Sequence, residues 1–247
     1  LGLIKMSDRI ELTFKQSEKI REHTLNCYPQ EMCGFLTEDD FIPVKNTAEE
    51  PEKSFRIDTI DYARWFSKAI AVVHSHTRAL KKQELFDLRT PSYADYVNQK
   101  KTGLPWLIVG CESLTVTDPV QFPRIPDNNY IGRPFQWFIY DCYNLVQDFY
   151  RFELGIILKD SLVDKDYQDI RHMNDIFSDY FEDYGFKEIP FEELTDGNLV
   201  LLDHGGFTCN HLGIYWKGQI IHQDMLSVSV PFETFLGRIN KVLKYVG

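Results

Sequence analysis

Asp141-Cys142-Tyr143-Asn144-Leu145-Val146-Gln147-Asp148-Phe149-Tyr150 places a cysteine at the start of an amphipathic helix. Leu145, Val146 and Phe149 recur at helical spacing and predict its buried face. Cys142 then falls in the first turn, where unpaired N–H groups and the positive end of the helix dipole favour thiolate over thiol. A thiolate is a nucleophile, and as one it needs a base and an orienting group. The plainer reading of a cysteine early in a helix is small core packing, so the rest of the chain has to supply those partners.

Two histidines follow roughly 70 residues on. His211-Leu212-Gly213-Ile214-Tyr215-Trp216 and Ile220-Ile221-His222-Gln223 read as strands joined by a turn at Lys217-Gly218. With a two-residue turn, Gly213 lies opposite His222. His211 is two positions from Gly213, so both imidazoles fall on one face of the hairpin. Cys142, His211 and His222 therefore form a candidate nucleophile, base and orienter.

Four blocks in this order carry a resemblance: Tyr130-Ile131-Gly132-Arg133-Pro134-Phe135, Asp141-Cys142 with its apolar helix, Asp196-Gly197-Asn198-Leu199-Val200-Leu201-Leu202, and His211-Leu212-Gly213-Ile214-Tyr215 with Ile221-His222. Together they are similar to the NlpC/P60 peptidases, over roughly residues 128–245. The resemblance implies a papain-like α+β domain in which Cys142 is the nucleophile, His211 the base and His222 the orienting residue. It also implies a substrate-facing Tyr130. Its usual substrate is the stem peptide of peptidoglycan, cut between D-γ-glutamate and diaminopimelate. Two positions depart from the pattern. Tyr143-Asn144 stand where the family commonly has Ser-Gly, and Tyr140 stands where a glycine is frequent.

A second centre of chemistry lies upstream. Ile70-Ala71-Val72-Val73 reads as a short buried strand running into His74-Ser75-His76. Positions two apart on a strand face the same way, so both imidazoles can address one metal ion. Asp95 falls in the first turn of a helix opened by Pro91-Ser92 and stopped near Gly103, where it can add a carboxylate. Two histidines, one aspartate and a water make an open zinc site of the catalytic type. A serine with an acid three residues on is equally an ordinary capping box.

The order Pro29-x-Glu31-x-Cys33-Gly34, His74-Ser75-His76, Ser92-x-x-Asp95 resembles the JAB/MPN metalloproteases over roughly residues 8–117. The resemblance implies a cytidine-deaminase-like α/β/α fold and zinc-dependent hydrolysis of peptide or isopeptide bonds. In it His74, His76 and Asp95 bind zinc, Glu31 is the general acid/base and Ser92 helps to hold the oxyanion. Fifteen residues separate His76 from Ser92 where the family usually has seven, and Thr77 stands where a proline often follows. The extra length falls in Thr77–Thr90, as a charged lid or a pairing surface.

The 247 residues are enough for two domains of ordinary size, and 43% hydrophobic content supports packed cores. A net charge of −10 argues against phosphate-directed nucleic-acid binding. Residues 160–196 hold twelve acidic and three basic side chains, read as a solvated helical face with turns. Five cysteines without disulfide-like or zinc-knuckle spacing fit reduced, intracellular synthesis. There is no run of eighteen apolar residues, so no membrane span is expected. Leu1–Lys5 reads as too short for a signal peptide, with Met6 as a candidate start.

The expected organisation is a two-domain α+β and α/β chain. A JAB/MPN-like domain spans 8–117, a Pro-rich linker 118–129 and an NlpC/P60 domain 130–247. Smaller expectations are a first strand at Ile10–Phe14, helices at Ser17–Asn26 and Asp58–Ala69, and an acidic helical region at Asp166–Tyr184. A closing helix is expected over Pro231–Tyr245. His204 and Cys209 read as hairpin-loop residues, not ligands. The two domains in this order resemble the tail assembly proteins of lambda-type siphophages. That likeness implies other tail-tip proteins as partners, synthesis in the host cytoplasm and action at the tail tip on the cell wall. Two alternatives stand beside it: a tail-tip assembly factor with vestigial sites, and a zinc domain that processes a tail protein.

Overall fold

The computed structural model describes residues 9–77, 88–159, 181–204 and 207–247. The chain divides into two compact units, Leu1–Ile125 and Pro126–Gly247.

In the first unit, α1 (Phe14–Cys27) begins at a capping box in which Thr13 accepts from the Gln16 amide and Gln16 returns the bond. This corrects the strand expected at Ile10–Phe14. Phe14 is already helical, and the Ile10 amide donates to the Gln121 side chain rather than to a strand. A sheet follows, built from β1 (Cys33–Leu36), β2 (Phe41–Val44), β3 (Ala71–Thr77), β4 (Trp106–Glu112), β5 (Thr115–Val116) and β6 (Val120–Phe122). Its order is β2-β1-β3-β4-β5, with β6 also on β4. β3 and β4 are parallel, and α3 (Tyr93–Thr102) lies between them in the chain.

Both faces of this sheet are apolar, which is why its strands read as unbroken hydrophobic runs. Ala71, Val73, Leu107 and Val109 pack with Ile20 of α1. Val72, Cys33, Phe35 and Trp106 pack on the other face with Phe55, Trp65 and Phe66. Trp65 closes α2 (Thr59–Trp65), and Phe66 opens a 3₁₀ turn after it. Val120–Phe122, assigned from the sequence to the linker, instead pairs antiparallel with Trp106–Ile108.

The second unit starts from α4 (Cys142–Phe149), which runs into a π turn at Tyr150–Leu154. Six antiparallel strands complete it: β7 (Phe186–Ile189), β8 (Leu199–His204), β9 (Phe207–Trp216), β10 (Gln219–Gln223), β11 (Ser227–Pro231) and β12 (Ile239–Tyr245), in the order β11-β10-β9-β8-β12-β7. Leu145, Val146 and Phe149 of α4 pack on Leu201, Leu212, Ile214 and Ile221, the face the helical spacing predicts. The turn between β9 and β10 has positive φ at Lys217 (50°) and Gly218 (76°), the primed hairpin geometry.

The closing helix expected over Pro231–Tyr245 is corrected. Only Phe232–Phe235 forms a 3₁₀ turn, and Ile239–Tyr245 is a strand between β8 and β7. The cause is burial on both faces. Leu243 joins the core under α4 while Val242 joins a second core with Val200, Leu202, Ile220 and Phe235. A strand apolar on both sides loses its alternation and imitates a helical run. Of the acidic region expected to be helical, Phe181–Tyr184 is a 3₁₀ turn, and residues 166–180 lie outside the described residues. The same holds for most of the Thr77–Thr90 insertion.

Gly213 sits opposite His222 in the hairpin, as the turn count predicts. A Cβ there would meet Ile220 Cγ2 at 2.6 Å and Val200 Cγ2 at 3.2 Å. Gly213→Ala is therefore expected to lower stability by about 1–3 kcal/mol through overpacking, read as a fall in the denaturation midpoint. An unchanged midpoint would show that these side chains re-pack freely.

Candidate active site and metal centre

Cys142 is the first residue of α4, and the preceding Asp141 is its N-cap. One Asp141 carboxylate oxygen accepts from the Asn144 amide at 2.9 Å and the other from the Phe138 amide at 2.9 Å. The helix is thus anchored at the residue before the thiol. Cys142 is partly buried against the core under α4. It packs in the same cluster as Leu212, the neighbour of His211, and nearby backbone amides pull the thiol down.

Burial, followed by the Asp141 carboxylate, pushes the Cys142 thiol up to about 12, against the pull of those amides. This reverses the expectation that the helix start favours thiolate. The dipole contributes at most a fraction of what desolvation removes here, and the capping carboxylate adds to the loss. At pH 7 a thiol at about 12 is ionised to roughly one part in 10⁵.

His211 and His222 face each other from β9 and β10, both more than nine-tenths buried. His211 Nε2 lies 2.9 Å from His222 Nδ1, with the rings at 86°. One nitrogen of that contact carries the proton, and the His211 Nδ1 edge is turned away from it. His222 also meets Phe235 edge-on at 5.1 Å, which fixes its plane. Tyr130 lies in the loop that precedes α4. Its ring packs on Phe149, and its hydroxyl donates to Glu153 Oε1 at 3.1 Å. Phe149 is two turns from Cys142, about 10 Å along the axis.

In the first unit, His74, His76 and Asp95 come together in the interior. His74 Nε2 is 3.2 Å from Asp95 Oδ1, His76 Nε2 is 3.1 Å from Asp95 Oδ2, and the two Nε2 atoms are 3.1 Å apart. Ligands at about 2.05 Å around a tetrahedral ion stand about 3.3 Å from one another. The observed separations fit that cage. His76 Nδ1 lies 2.7 Å from the Leu88 carbonyl, which accepts its proton and leaves Nε2 bare toward the centre. His74 is held differently. Its ring is stacked on Phe55 at 4.6 Å and edge-on to Trp106 at 5.3 Å, while its Nδ1 has no hydrogen-bond partner among the described residues.

Burial alone would raise the Asp95 carboxyl, but His74 and His76 outweigh it and hold the group well below the ordinary carboxylate range. Ser92 caps α3. Its hydroxyl accepts from the Asp95 amide at 3.2 Å, and its own amide donates to Asp95 Oδ2 at 2.6 Å. One aspartate thus belongs both to the capping box and to the His74, His76 and Asp95 group. β1 and β3 are antiparallel with Cys33 opposite His74. Glu31, 5% exposed, lies two residues before Cys33, and strand alternation carried past β1 assigns it to the face of both imidazoles.

Sequence reasoning missed the buried ion pair of Arg133 and Asp148, the Phe55 stack and the role of Asp141 as a cap. Asp148 carried a legible signal, because an acid inside the apolar stripe of a helix demands a partner. Phe55 carried none, since only the fold brings it to His74.

Residues 132–238 match the family model described as the NlpC/P60 family. The second unit thus carries an NlpC/P60 domain, and its α-helix packed on an antiparallel sheet is the α+β arrangement expected from the sequence. Over 242 residues the chain is 28% identical to the tail tip assembly protein K of Escherichia phage N15, covering 94% of this chain and 94% of that protein. A solution structure of a Desulfitobacterium hafniense protein is 23% identical over 43% of this chain and 78% of its own, with a TM-score of 0.28. A superposition that low carries no argument. No helix of the described residues is long and apolar enough to cross a membrane.

Proposed function

We propose that the protein is a phage tail-tip assembly protein whose second unit is a cysteine peptidase and whose first unit is a JAB/MPN-like zinc peptidase. One observation carries the first part. Cys142, at the start of α4, packs in one cluster with Leu212, the residue next to His211, and His211 Nε2 lies 2.9 Å from His222 Nδ1.

Because burial keeps Cys142 as the thiol, its proton has to be taken as the sulfur attacks. His211 Nδ1 takes the proton as the sulfur attacks the peptide carbonyl. His222 accepts from His211 Nε2–H, holds the ring in that tautomer and steadies the imidazolium. The Cys142 backbone amide, free of intrahelical partners at the helix start, donates to the developing oxyanion. His211 then protonates the leaving amine, and water, deprotonated by His211, releases the acyl group.

The substrate we infer is the stem peptide of peptidoglycan, cut between D-γ-glutamate and diaminopimelate, so that the wall opens locally as the tail penetrates. Purified chain incubated with Gram-negative peptidoglycan should yield muropeptides ending in D-glutamate by mass spectrometry, and Cys142→Ala should yield none. Equal products from both proteins would end the cysteine peptidase reading.

In the first unit His74, His76 and Asp95 would hold zinc, supported by their mutual distances. Bound there, the ion would supply a Lewis acid for peptide or isopeptide hydrolysis. Glu31, on the same sheet face, would move the proton, and the Ser92 hydroxyl would donate to the oxyanion. The similarity to a tail tip assembly protein supports other tail-tip proteins as partners and the host cytoplasm and tail tip as places of action. The raised Cys142 thiol and the engagement of Tyr130 by Glu153 favour a second reading, an assembly factor without wall hydrolysis.

A further inference from the structure

Arg133 is buried, 4% exposed, in the loop that precedes the nucleophile helix. Its guanidinium Nη1 lies 2.8 Å from Asp148 Oδ2 on α4, with side chains 3% and 0% exposed. The other guanidinium nitrogens donate to the carbonyls of Asn129 and Asp127. Its charged plane also faces the Tyr140 ring at 5.4 Å, two residues before Cys142. The backbone of the same residue reaches the opposite side of the site. Its carbonyl accepts from the Gln223 side chain at 2.9 Å and from the Ser227 amide at 2.9 Å, and its amide donates to the Ser227 hydroxyl at 2.8 Å. Gln223 is the neighbour of His222 on β10, and Ser227 begins β11.

We propose that Arg133 is a positioning residue that fixes the distance between the nucleophile helix and the histidine hairpin. Its side chain holds α4 through Asp148 and Tyr140, while its main chain holds β10 and β11 through Gln223 and Ser227. A buried, forked guanidinium suits this task, because its donors are fixed in a plane and lose little freedom on pairing. Tyr140 covers one side of the guanidinium. The inference rests on the reading of Cys142 and His211 as a reacting pair, but not on any particular peptide substrate.

The test measures that pair without a substrate. The full chain is alkylated with iodoacetamide across pH 5–10, and the rate at Cys142 is read by peptide mass mapping. The variants are Arg133→Met/Asp148→Leu, which removes both buried charges together, and Arg133→Lys, which keeps the charge but loses the fork. Wild type should alkylate at pH 7 at least about tenfold faster than His211→Ala, since general-base help of this kind is worth 10²–10⁴ in rate. The double variant should fall to within about threefold of His211→Ala, with its pH profile shifted to that of an unassisted thiol. Arg133→Lys should lie between, and it carries the test alone if the double variant does not fold.

A folded variant that melts lower yet keeps the wild-type alkylation profile would make Arg133 a structural residue only and overturn the inference. Equal rates for wild type and His211→Ala would overturn it together with the peptidase reading. A wild-type chain that alkylates fast, loses this in the Arg133 variants and cuts no peptidoglycan would uphold the inference and reject only the substrate.

Discussion

Alanine at His211 is expected to cut peptide hydrolysis by about 10³-fold or more and to move the rise of the residual rate into the alkaline range. The reason is the state of the nucleophile. With the Cys142 thiol pushed up to about 12, spontaneous ionisation at pH 7 leaves roughly one part in 10⁵ as thiolate, so the base supplies nearly all the reactivity. In wild type His211 takes the proton as the sulfur attacks, so the rate does not depend on thiolate formed by solvent. Without His211 only thiolate formed by solvent remains. The residual rate should then climb about tenfold per pH unit through the alkaline range, levelling only near the thiol's own value. Rates of kcat/KM against pH for both proteins decide it. A His211→Ala profile parallel to wild type would mean that another group takes the proton.

His222→Ala belongs to the same experiment and should fall less than His211→Ala. His222 lies one contact further out, at 2.9 Å from His211 Nε2, and acts by holding a tautomer. Its loss leaves a base that is correctly placed only part of the time.

The second large effect is expected at Asp95. Wild-type chain should retain about one zinc after dialysis and lose it to a strong chelator. Zinc at a thousandfold excess over its dissociation constant should stabilise the fold by about 4 kcal/mol, read as a rise in the melting midpoint. Asp95→Ala should abolish both the retained zinc and the midpoint rise. That variant keeps the Ser92 cap on α3 but loses the reciprocal half of the capping box, in which the Ser92 amide donates to Asp95 Oδ2 at 2.6 Å. Asp95→Asn separates the two roles, because its amide oxygen keeps that bond while the ligand charge is gone. Glu31→Gln should keep the metal and lose hydrolysis, since Glu31 shares the imidazole face without belonging to the His74, His76 and Asp95 cage. A wild-type midpoint indifferent to zinc would remove the metal centre from the proposal.

The structure also gives the odd spacing before Ser92 a physical footing. The ends of the insertion are secured independently of its length: His76 sits in the centre of the sheet on β3, and its Nδ1 reaches the Leu88 carbonyl at 2.7 Å. Added residues between two fixed ends cost only slowly growing loop entropy. The His74, His76 and Asp95 distances are accordingly those of a compact cage despite the fifteen-residue separation.

Much of this protein is determined locally. The helix of Cys142 follows from the spacing of Leu145, Val146 and Phe149, the hairpin from Lys217-Gly218, and the shared face of His74 and His76 from the period of a strand. Each depends on residues within a few positions of one another, where backbone geometry alone settles which way side chains point. What is buried on both sides escaped that reading. Ile239–Tyr245 looks helical because Val242 and Leu243 each face a core, and Val120–Phe122 looks like a linker until β4 pairs with it. The thiol shows the same limit in energy. The helix start and its dipole are visible in the sequence, but the desolvation that outweighs them arises only when α4 is packed against Leu212 and its neighbours. Long-range contact, not local pattern, also set the Arg133–Asp148 pair and the Phe55 stack on His74. Pattern named the candidate residues, and packing decided the state of the Cys142 thiol and the distances within each group.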